Sequence, residues 1–364
     1  MSKAAELAAL IGSQTALSNR NLIINGAMQV AQRGTSETSV TTAGYRNACD
    51  RFRVGGNNGT WTISQDTDAP DGFSNSFKML LTATESIGGT SYWAVEQRIE
   101  GQNLQGLAYG TSSAKTVTVS FYVKSNVTGT YCLNLYQDDG TKNFPKTYTI
   151  DSANTWERKT ISFVGDTATA LDNDNAKSLR TIFFQVAGSS HTSGTPGSRV
   201  AYTDATFAAG HTAQIDAVND YWQITGLQLE VGEQATPFEH RSYADELLAC
   251  QRYYEIITVN GYFVTGNSYS TGQMNCAPMF FRTTKRATPT ITYPTIGTTS
   301  GTIGPTDSTA NYVGTMGSVL RSYATDGFFQ IYNSASDGYS GFTDDGVCQI
   351  YSYGDNDITV DAEL

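Results

Sequence analysis

The sequence contains no cluster of lysine and arginine. Its 364 residues include 23 Lys and Arg against 34 Asp and Glu, so the formal net charge at pH 7 is −11. Neutralisation of phosphates by basic side chains supplies most of the affinity of proteins for nucleic acids. The charge balance therefore argues against DNA or RNA as a partner.

Long apolar runs are also missing. No stretch reaches the roughly 18 apolar residues that a membrane-spanning helix needs. The N-terminal residues MSKAAELAALIGSQTA place Glu6 inside their only apolar run and Gly12 soon after it, unlike the uninterrupted core of a secretory signal. The sequence therefore predicts no membrane insertion and no secretory signal.

Cysteine is scarce and irregularly spaced. The five cysteines form no C-x-x-C pair, and their odd number leaves no complete disulfide framework. They are Cys49, Cys132, Cys250, Cys276 and Cys348. We expect these side chains to be small buried hydrophobic groups.

The three histidines stand in no metal-binding or catalytic motif. His191, His211 and His240 show no H-E-x-x-H or His/Cys ligand spacing, and neither G-x-S-x-G nor a glycine-rich phosphate loop occurs. His191 lies in a Ser/Gly-rich stretch and is expected to be exposed to solvent. The run DTDAPDG at 66–72 departs from the EF-hand pattern where that pattern needs an oxygen ligand and a glycine, so it predicts a turn.

Carboxylates, by contrast, are plentiful, as in DNDN at 172–175 and GDND at 354–357. Glycosidases bring two carboxylates together by folding, which no sequence motif announces. Nothing in the sequence supports such a pair. The expectation is a protein without catalytic activity and without catalytic, cofactor-binding or metal-binding residues.

The residues that are abundant favour short strands joined by tight turns. Only 39% of the chain is apolar, yet it carries 21 Tyr, 16 Phe and 35 Gly. In KTVTVSFYVKS, one face of a half-buried strand is formed by Val117, Val119, Phe121 and Val123. Turn clusters such as GGNNG at 55–59 separate runs of this kind. Residues 21–240 are therefore predicted to form an antiparallel β-sandwich.

A short N-terminal helix is predicted before this sandwich. Residues 2–12 favour a helix, with Ala4, Leu7 and Ile11 forming a narrow apolar stripe. Such a stripe needs a partner. Residues 1–20 are predicted to attach the chain to another protein; the alternative is a helix that lies on its own domain.

A second helix is predicted after the sandwich. Ser242 and Asp245 approach a capping box, and residues 241–256 form an amphipathic connector. Its predicted apolar side consists of Leu247, Leu248 and Cys250, with Tyr254 a turn further. Residues 257–364 are predicted to be a second β-domain, in which 294–317 are long loops or short edge strands.

Three segments resemble a module found in tail-fibre and other virion proteins of bacteriophages. They are NLIINGAMQVAQRGTS at 21–36, CDRF at 49–52 and ITGLQLEVGEQATPFEHRSYADELLACQRYY at 224–254. The ending VDAEL at 360–364 is similar to the ending of the same proteins. Within the frame of these segments, the spacing of NG near the start, VEQRIEG, SFYVKS, TWERKTISF and the closing LQLE is similar to that of jelly-roll carbohydrate-binding modules.

The resemblance implies an all-β protein, a jelly-roll sandwich plus a second C-terminal β-domain, joined by a short helix. It implies a tail fibre or receptor-binding protein of the virion, made in the host cytoplasm, that attaches to a host surface glycan. The assembly would be a homotrimer joined to phage tail or adaptor proteins through its N-terminus. The alternatives are a fibre or decoration protein on the capsid and, from another class, a polysaccharide-degrading tailspike.

Two further expectations follow from the resemblance. Related carbohydrate-binding modules often hold a structural calcium, which would lie here around Asn25 and Glu230; a surface-facing Glu230 without a role is the alternative. The connector helix would pack near the axis of the trimer, or else Leu247, Leu248 and Tyr254 would cover the base of their own sandwich.

The receptor site is expected in the C-terminal domain. Residues 294–317 and 333–346 are rich in Gly, Ser, Thr and Asp, and such loops commonly carry binding surfaces on a fixed scaffold. The jelly roll, placed between the predicted anchor and the connector helix, would then act as a spacer.

Overall fold

The computed structural model describes residues 19–270, 273–295, 302–307, 321–332 and 347–364. The chain divides into two compact units, residues 1–247 with Leu364 and residues 248–363. The predicted helix over residues 2–12 lies outside the described residues. Among those that are described, no helix is long and apolar enough to cross a membrane.

Sheet I of the first unit is antiparallel and six-stranded. Its strands, numbered in chain order, are β1 (Ser36–Val40), β4 (Thr60–Asp66), β5 (Ser76–Ala83), β7 (Val117–Ser125), β11 (Glu157–Phe163) and β14 (Tyr221–Val231). Their order across the sheet is β1-β4-β5-β14-β7-β11. The closing strand β14 therefore lies between strands from the first half of the unit, a crossing that fits the predicted jelly roll.

Sheet II of the first unit is also antiparallel. It contains β2 (Gly44–Tyr45), β3 (Arg53–Gly56), β6 (Tyr92–Glu100), β8 (Gly129–Gln137), β9 (Lys142–Asn143), β10 (Pro145–Ile150), β12 (Lys177–Ala187) and β13 (Val200–Ala201). The order is β13-β9-β8-β12-β6-β3-β2, and β10 pairs with β8. The short elements are a 3₁₀ helix (Gly101–Leu107), α1 (Ser189–Thr192) and α2 (Asp204–Phe207).

The two sheets enclose one apolar core. The inward face predicted for β7 is confirmed, since its four residues, Val117 to Val123 in steps of two, are fully buried. The strand is not half-buried as predicted, because Thr118 and Ser120 on its other face are also buried. Phe121 of sheet I meets Phe183 of sheet II edge to face at 5.0 Å between ring centroids. Trp61 stacks on Trp93 across the same interface at 5.5 Å. Aromatic pairs of these geometries add to the stabilisation from burial itself.

A connector helix, α3 (Tyr243–Gln251), follows the sandwich. The hydroxyl of Ser242 accepts a hydrogen bond from the Asp245 main-chain nitrogen at 3.2 Å and donates to its carboxylate at 2.6 Å, which is the predicted capping contact. The helix ends before residue 256 because Tyr254 already begins a strand.

The buried side of the connector matches the predicted apolar side only in part: Cys250 and Tyr254 are buried and Leu247 is half-buried. Leu248 is 47% exposed, whereas Glu246 is buried. The Glu246 carboxylate accepts a hydrogen bond from the main-chain nitrogen of Asn25 at 2.6 Å and pairs with Arg241 at 3.4 Å. Polar contacts, which hydrophobic periodicity does not report, therefore account for the burial of Glu246.

The second unit is a further antiparallel β-structure. Its described strands are β15 (Tyr254–Ser270), β16 (Gln273–Cys276), β17 (Met279–Phe280), β18 (Thr290–Thr292), β19 (Thr302–Asp307), β20 (Arg321–Ala324), β21 (Phe328–Tyr332) and β22 (Val347–Asp361). The long strands β15 and β22 pair with each other, and β19 lies against β22. The predicted all-β fold class, a jelly-roll-like sandwich with a second β-unit, is confirmed.

All five cysteines are buried and none forms a disulfide. The expectation of small buried hydrophobic groups is confirmed at these positions.

Candidate functional site

A return segment, residues 232–241, follows β14 and lies across the outer face of sheet I. Thr118 of β7 donates to the Gly232 carbonyl at 2.7 Å. From β11, Ser162 donates to the Glu233 carbonyl at 2.9 Å, and Arg158 to the Thr236 carbonyl at 3.0 Å. The outward polar side chains of two strands thus hold the segment in place.

At the C-terminal end of the return segment, successive side chains point to opposite sides. Glu239 accepts hydrogen bonds from the main-chain nitrogens of Asn21 at 2.8 Å and Arg20 at 3.3 Å. Arg241 donates to the carbonyls of Asn21 and Ile23. Burial alone would raise the pKa of Glu239, but the Asn21 nitrogen and the Arg241 charge hold that pKa below its usual value.

The start of the sandwich closes against β14 beside these contacts. The Asn21 side chain donates to the Leu227 carbonyl at 3.1 Å and accepts from the Leu229 nitrogen at 3.0 Å. A Cβ at Gly26 would lie 2.1 Å from the Leu227 oxygen, so only glycine fits there. Two segments singled out in the sequence, NLIING and ATPFEHR, therefore meet in one structure.

An aromatic cleft opens on the other side of the return segment. Its walls are the rings of Phe73, Tyr122, Phe238 and His240. Phe73 lies 5.5 Å from Tyr122, 5.1 Å from Phe238 and 5.2 Å from His240 between ring centroids. The cleft has a volume of about 570 Å³. The rings are partly exposed, with His240 the most open to solvent.

A glycine at a β-bulge makes room for this aromatic cleft. The register of β14 against β7 shifts between Thr225 and Gln228, and Gly226 lies in the bulge with φ of +60°. A Cβ at Gly226 would stand 2.7 Å from the Phe73 ring and 3.1 Å from the Tyr122 ring. The bulge therefore supplies both the left-handed backbone and the space that the rings occupy.

Polar groups surround the rings. Arg158 pairs in register with Tyr122, and Asp71 and Ser120 also line the cleft. The face continues at Trp156, whose indole nitrogen donates to the Asp68 carboxylate at 3.2 Å.

Asp68 is held ionised beside that indole. Lys124 binds its carboxylate at 2.7 Å. Burial alone would raise the pKa of Asp68, but the hydrogen bonds from Lys124 and Trp156 and the Lys124 charge lower it. Apolar rings beside fixed hydrogen-bonding groups suit a ligand with one apolar and one polar face, as sugar rings have.

No protein-family model and no curated protein matches the sequence. Among solved structures, a putative sugar-binding protein from Bacteroides thetaiotaomicron VPI-5482 is similar at 11% identity and a TM-score of 0.32, covering 58% of this chain and all of that chain. The family 11 carbohydrate-binding module of a Clostridium thermocellum cellulase matches at 13% identity and a TM-score of 0.28, covering 56% of this chain and 98% of that chain.

A tailspike structure gives a similar match. The enzymatically active domain of tailspike protein 4 of bacteriophage CBA120 matches at 11% identity and a TM-score of 0.32, covering 58% of this chain. The match spans only 22% of that tailspike domain. Likeness at this level says nothing of a ligand or an activity in this chain.

The histidines occupy three different environments. His191, expected to be exposed, is buried: its Nε2 lies 3.2 Å from the Thr90 carbonyl and its ring packs on Tyr92. The prediction is wrong because α1 and α2 fold the surrounding Ser/Gly stretch onto sheet II. His211 is also buried and accepts a hydrogen bond from the Cys132 nitrogen, while only His240 lies in the aromatic cleft.

The two positions considered for calcium have other partners. Glu230 is buried rather than surface-facing, and its carboxylate accepts hydrogen bonds from Gln228 and Thr236 at 2.7 to 2.8 Å. The Asn25 side chain binds Val30 and the Asp50 carbonyl. Among the described residues, no group of three or more His, Cys, Asp or Glu side chains could hold a metal ion. Neutral donors thus bind the Glu230 carboxylate, near which the resemblance places a calcium ion.

The predicted receptor loops of the C-terminal domain fall largely outside the described residues. This applies to all of 333–346 and to 296–301 and 308–317 within the other loop. The residues of the aromatic cleft, by contrast, were not predicted as a site. One feature of the sequence could have indicated them. In FEHR, the charged residues Glu239 and Arg241 alternate with Phe238 and His240. Because Glu239 and Arg241 bind the start of the sandwich, Phe238 and His240 lie on the opposite side of the segment.

Proposed function

We propose that the chain is a host-attachment protein of a bacteriophage virion, part of a tail fibre, and that its aromatic cleft binds a glycan of the host surface. The observation that carries this proposal is the cleft itself. Phe73, Tyr122 and Phe238 offer ring faces to the apolar side of a sugar. Arg158 and Asp71 stand at its edge as hydrogen-bonding groups for hydroxyls.

The position of the cleft in the sequence supports the link to virion proteins. Phe238 and His240 belong to the ATPFEHRSY stretch, which carries the strongest part of the resemblance to tail-fibre modules. The same stretch ties the sandwich closed through Glu239 and Arg241. A segment that both closes the fold and forms the cleft explains why the two features occur together.

The cleft is proposed to bind without catalysis. Glycoside hydrolysis uses two carboxyl groups on either side of the scissile bond. Among the residues that line the cleft, Asp71 is the one carboxylate, and Asp68 nearby is paired with Lys124. Incubation with host polysaccharide should therefore release no oligosaccharide; sustained release that is lost in Asp71→Asn would establish an enzyme instead.

A trimer would turn weak single sites into strong attachment. One shallow site binds a glycan weakly, and several sites on one rigid assembly gain affinity through effective concentration. The connector helix offers a surface for such assembly, since Tyr243 is 56% and Leu248 is 47% exposed. We infer that these exposed side chains pack against another copy of the chain in the trimer.

Substitution of single rings tests the proposed site. Phe73→Ala and Phe238→Ala should each weaken binding of host polysaccharide about tenfold or more, because each removes a stacking surface. Phe280→Ala is the matched control, since Phe280 is 74% exposed in the second unit. Affinity is measured by titration calorimetry. If both cleft variants bind the polysaccharide as tightly as the native chain, the aromatic cleft is not the glycan site.

Domain exchange separates this site from the predicted C-terminal one. If the aromatic cleft sets host choice, exchange of residues 21–240 with those of a related phage should transfer host range. If the loops 294–317 and 333–346 determine host choice, exchange of residues 255–364 should transfer the host range instead.

A further inference from the structure

A second cleft lies on the outer face of sheet II, the sheet opposite the aromatic cleft in the same sandwich. On β12, Leu179 and Phe183 point into the core, so Arg180 between them points outward. Arg53 of β3 and Glu96 and Arg98 of β6 reach the same place. We call this the arginine cleft; its volume is about 190 Å³.

Three arginines surround one carboxylate in this cleft. Glu96 lies 3.1 Å from Arg53, 2.7 Å from Arg98 and 3.2 Å from Arg180. Burial alone would raise the pKa of Glu96, but the three guanidinium charges hold it below its usual value. Asp138 also pairs with Arg180, so two carboxylates face these three guanidinium groups and an excess of one positive charge remains, in a chain whose net charge is −11.

Not all of the guanidinium hydrogens are used inside the protein. Arg180 binds Asp138 through Nε at 2.9 Å and Glu96 through Nη1, and its guanidinium also interacts with the Tyr136 side chain. Within the described part of the chain, Arg53 uses only its Nη1 nitrogen, which donates a hydrogen bond to Glu96. Arg98 is occupied, since it binds Glu96 and also donates to the main-chain oxygen of Leu364.

The guanidinium of Arg180 is held in a fixed orientation. It lies 4.1 Å from the centre of the Tyr136 ring, and its two carboxylate partners stand on the Nε and Nη1 sides. A guanidinium fixed in this way loses little freedom when it binds an anion, and planar carboxylates match its donor geometry.

An aromatic wall borders the charged groups. Tyr92 and Phe207 line the cleft, and their partly exposed rings meet edge to face at 5.6 Å. The cleft thus combines ring surfaces with unused guanidinium donors. A ligand that matches both has an apolar face and a carboxylate.

We propose that the arginine cleft is a second saccharide site, selective for a sugar that carries a carboxylate, as in uronic and sialic acids. Arg53 and Arg180 bind the carboxylate, and Tyr92 and Phe207 contact the ring. The site is independent of the aromatic cleft because the two share no residue. An acidic host polysaccharide is the ligand class that it selects.

The test uses the full chain and matched pairs of ligands. Oligogalacturonate, a hyaluronan oligosaccharide and oligosialic acid are each compared by titration calorimetry with the same oligosaccharide after chemical reduction of its carboxyl groups. At least one acidic ligand should bind, and its reduced counterpart should bind about tenfold more weakly or worse, because the charge-assisted hydrogen bonds are gone. Equal binding of the two forms, or binding of none of the acidic ligands, would overturn the proposal.

Charge-matched variants locate the site. Arg53→Gln and Arg180→Gln should each weaken binding of the acidic ligand about tenfold. Lys177→Gln also removes one positive charge from this face, but Lys177 pairs with Asp138 outside the cleft lining, so its affinity should change less than about twofold. Near-ultraviolet circular dichroism confirms that each variant is folded.

Two results of the variant series contradict the proposed site. An equal loss in Lys177→Gln would show general attraction by charge in place of a defined site. Loss of acidic-ligand binding in Phe73→Ala would place that ligand in the aromatic cleft. If Phe73→Ala instead keeps its affinity for the acidic ligand, the arginine cleft stands whether or not the aromatic cleft binds a neutral glycan.

Discussion

Replacing Gly226 by alanine should both destabilise the sandwich and distort the aromatic cleft. The backbone at Gly226 is left-handed, with φ of +60°, which costs a residue with a Cβ about 1 to 2 kcal/mol. The new Cβ would stand 2.7 Å from Cζ of Phe73, closer than side chains tolerate. Turning that ring away from its preferred rotamer costs about 1 kcal/mol more.

The expected loss of stability is therefore about 2 to 3 kcal/mol, with a fall in glycan affinity of about tenfold as Phe73 moves. Gly72→Ala is the matched control in the same cleft, because φ there is +90° but no atom lies within 4 Å of the added Cβ. It should lose stability through backbone strain alone and keep its affinity for the glycan.

Tryptophan fluorescence during urea unfolding follows the first unit selectively. All four tryptophans lie there, at Trp61, Trp93, Trp156 and Trp222. Glycan affinity is measured on the same samples by titration calorimetry. If Gly226→Ala binds as tightly as the native chain, Phe73 does not form a wall of the glycan site, and the reasoning from the bulge is refuted.

Three other perturbations have definite expected outcomes. Burial lowers the pKa of His211 to about 4, so the unfolded chain binds a proton at this residue more readily than the folded chain does. The free energy of unfolding of the first unit should therefore fall by about 3 kcal/mol as the pH falls from about 6.5 to 4. His211→Gln should lack this pH dependence in urea unfolding. Lys285→Met should destabilise the second unit by about 3 kcal/mol in scanning calorimetry, because the buried Glu255 carboxylate, 2.5 Å from Lys285 Nζ, would keep only the largely exposed Arg282 as an ion-pair partner; adding Glu255→Gln should recover much of the loss. Leu248→Asp should convert the proposed trimer to monomers in light scattering, and an unchanged mass would exclude the connector helix from the interface.

The β-sandwich could be predicted because local patterns decide it. Alternation of apolar and polar residues along β7 identifies the side chains that face the core, and these are buried as expected, although Thr118 and Ser120 on the other face are buried as well. The capping contact of Ser242 is equally local. Both features depend on residues close together in the chain, and for that reason a single sequence reveals them.

The site could not be predicted because it depends on contacts between distant segments. Phe73 and Phe238 meet only after the return segment folds across sheet I. Burial of Glu230 depends on Thr236 of the return segment, and burial of His191 depends on segments that cover a stretch whose sequence resembles an exposed turn. Patterns of hydrophobicity carry no information about such coverage.

The most direct test of the account is the crystal structure of the full chain with an oligosaccharide of the host surface polysaccharide. We expect a sugar ring stacked on Phe238 or Phe73, with a hydroxyl within hydrogen-bond distance of Arg158 or Asp71. Sugar bound in the second unit, with the aromatic cleft empty at saturating ligand, would contradict the assignment of glycan recognition to the jelly roll.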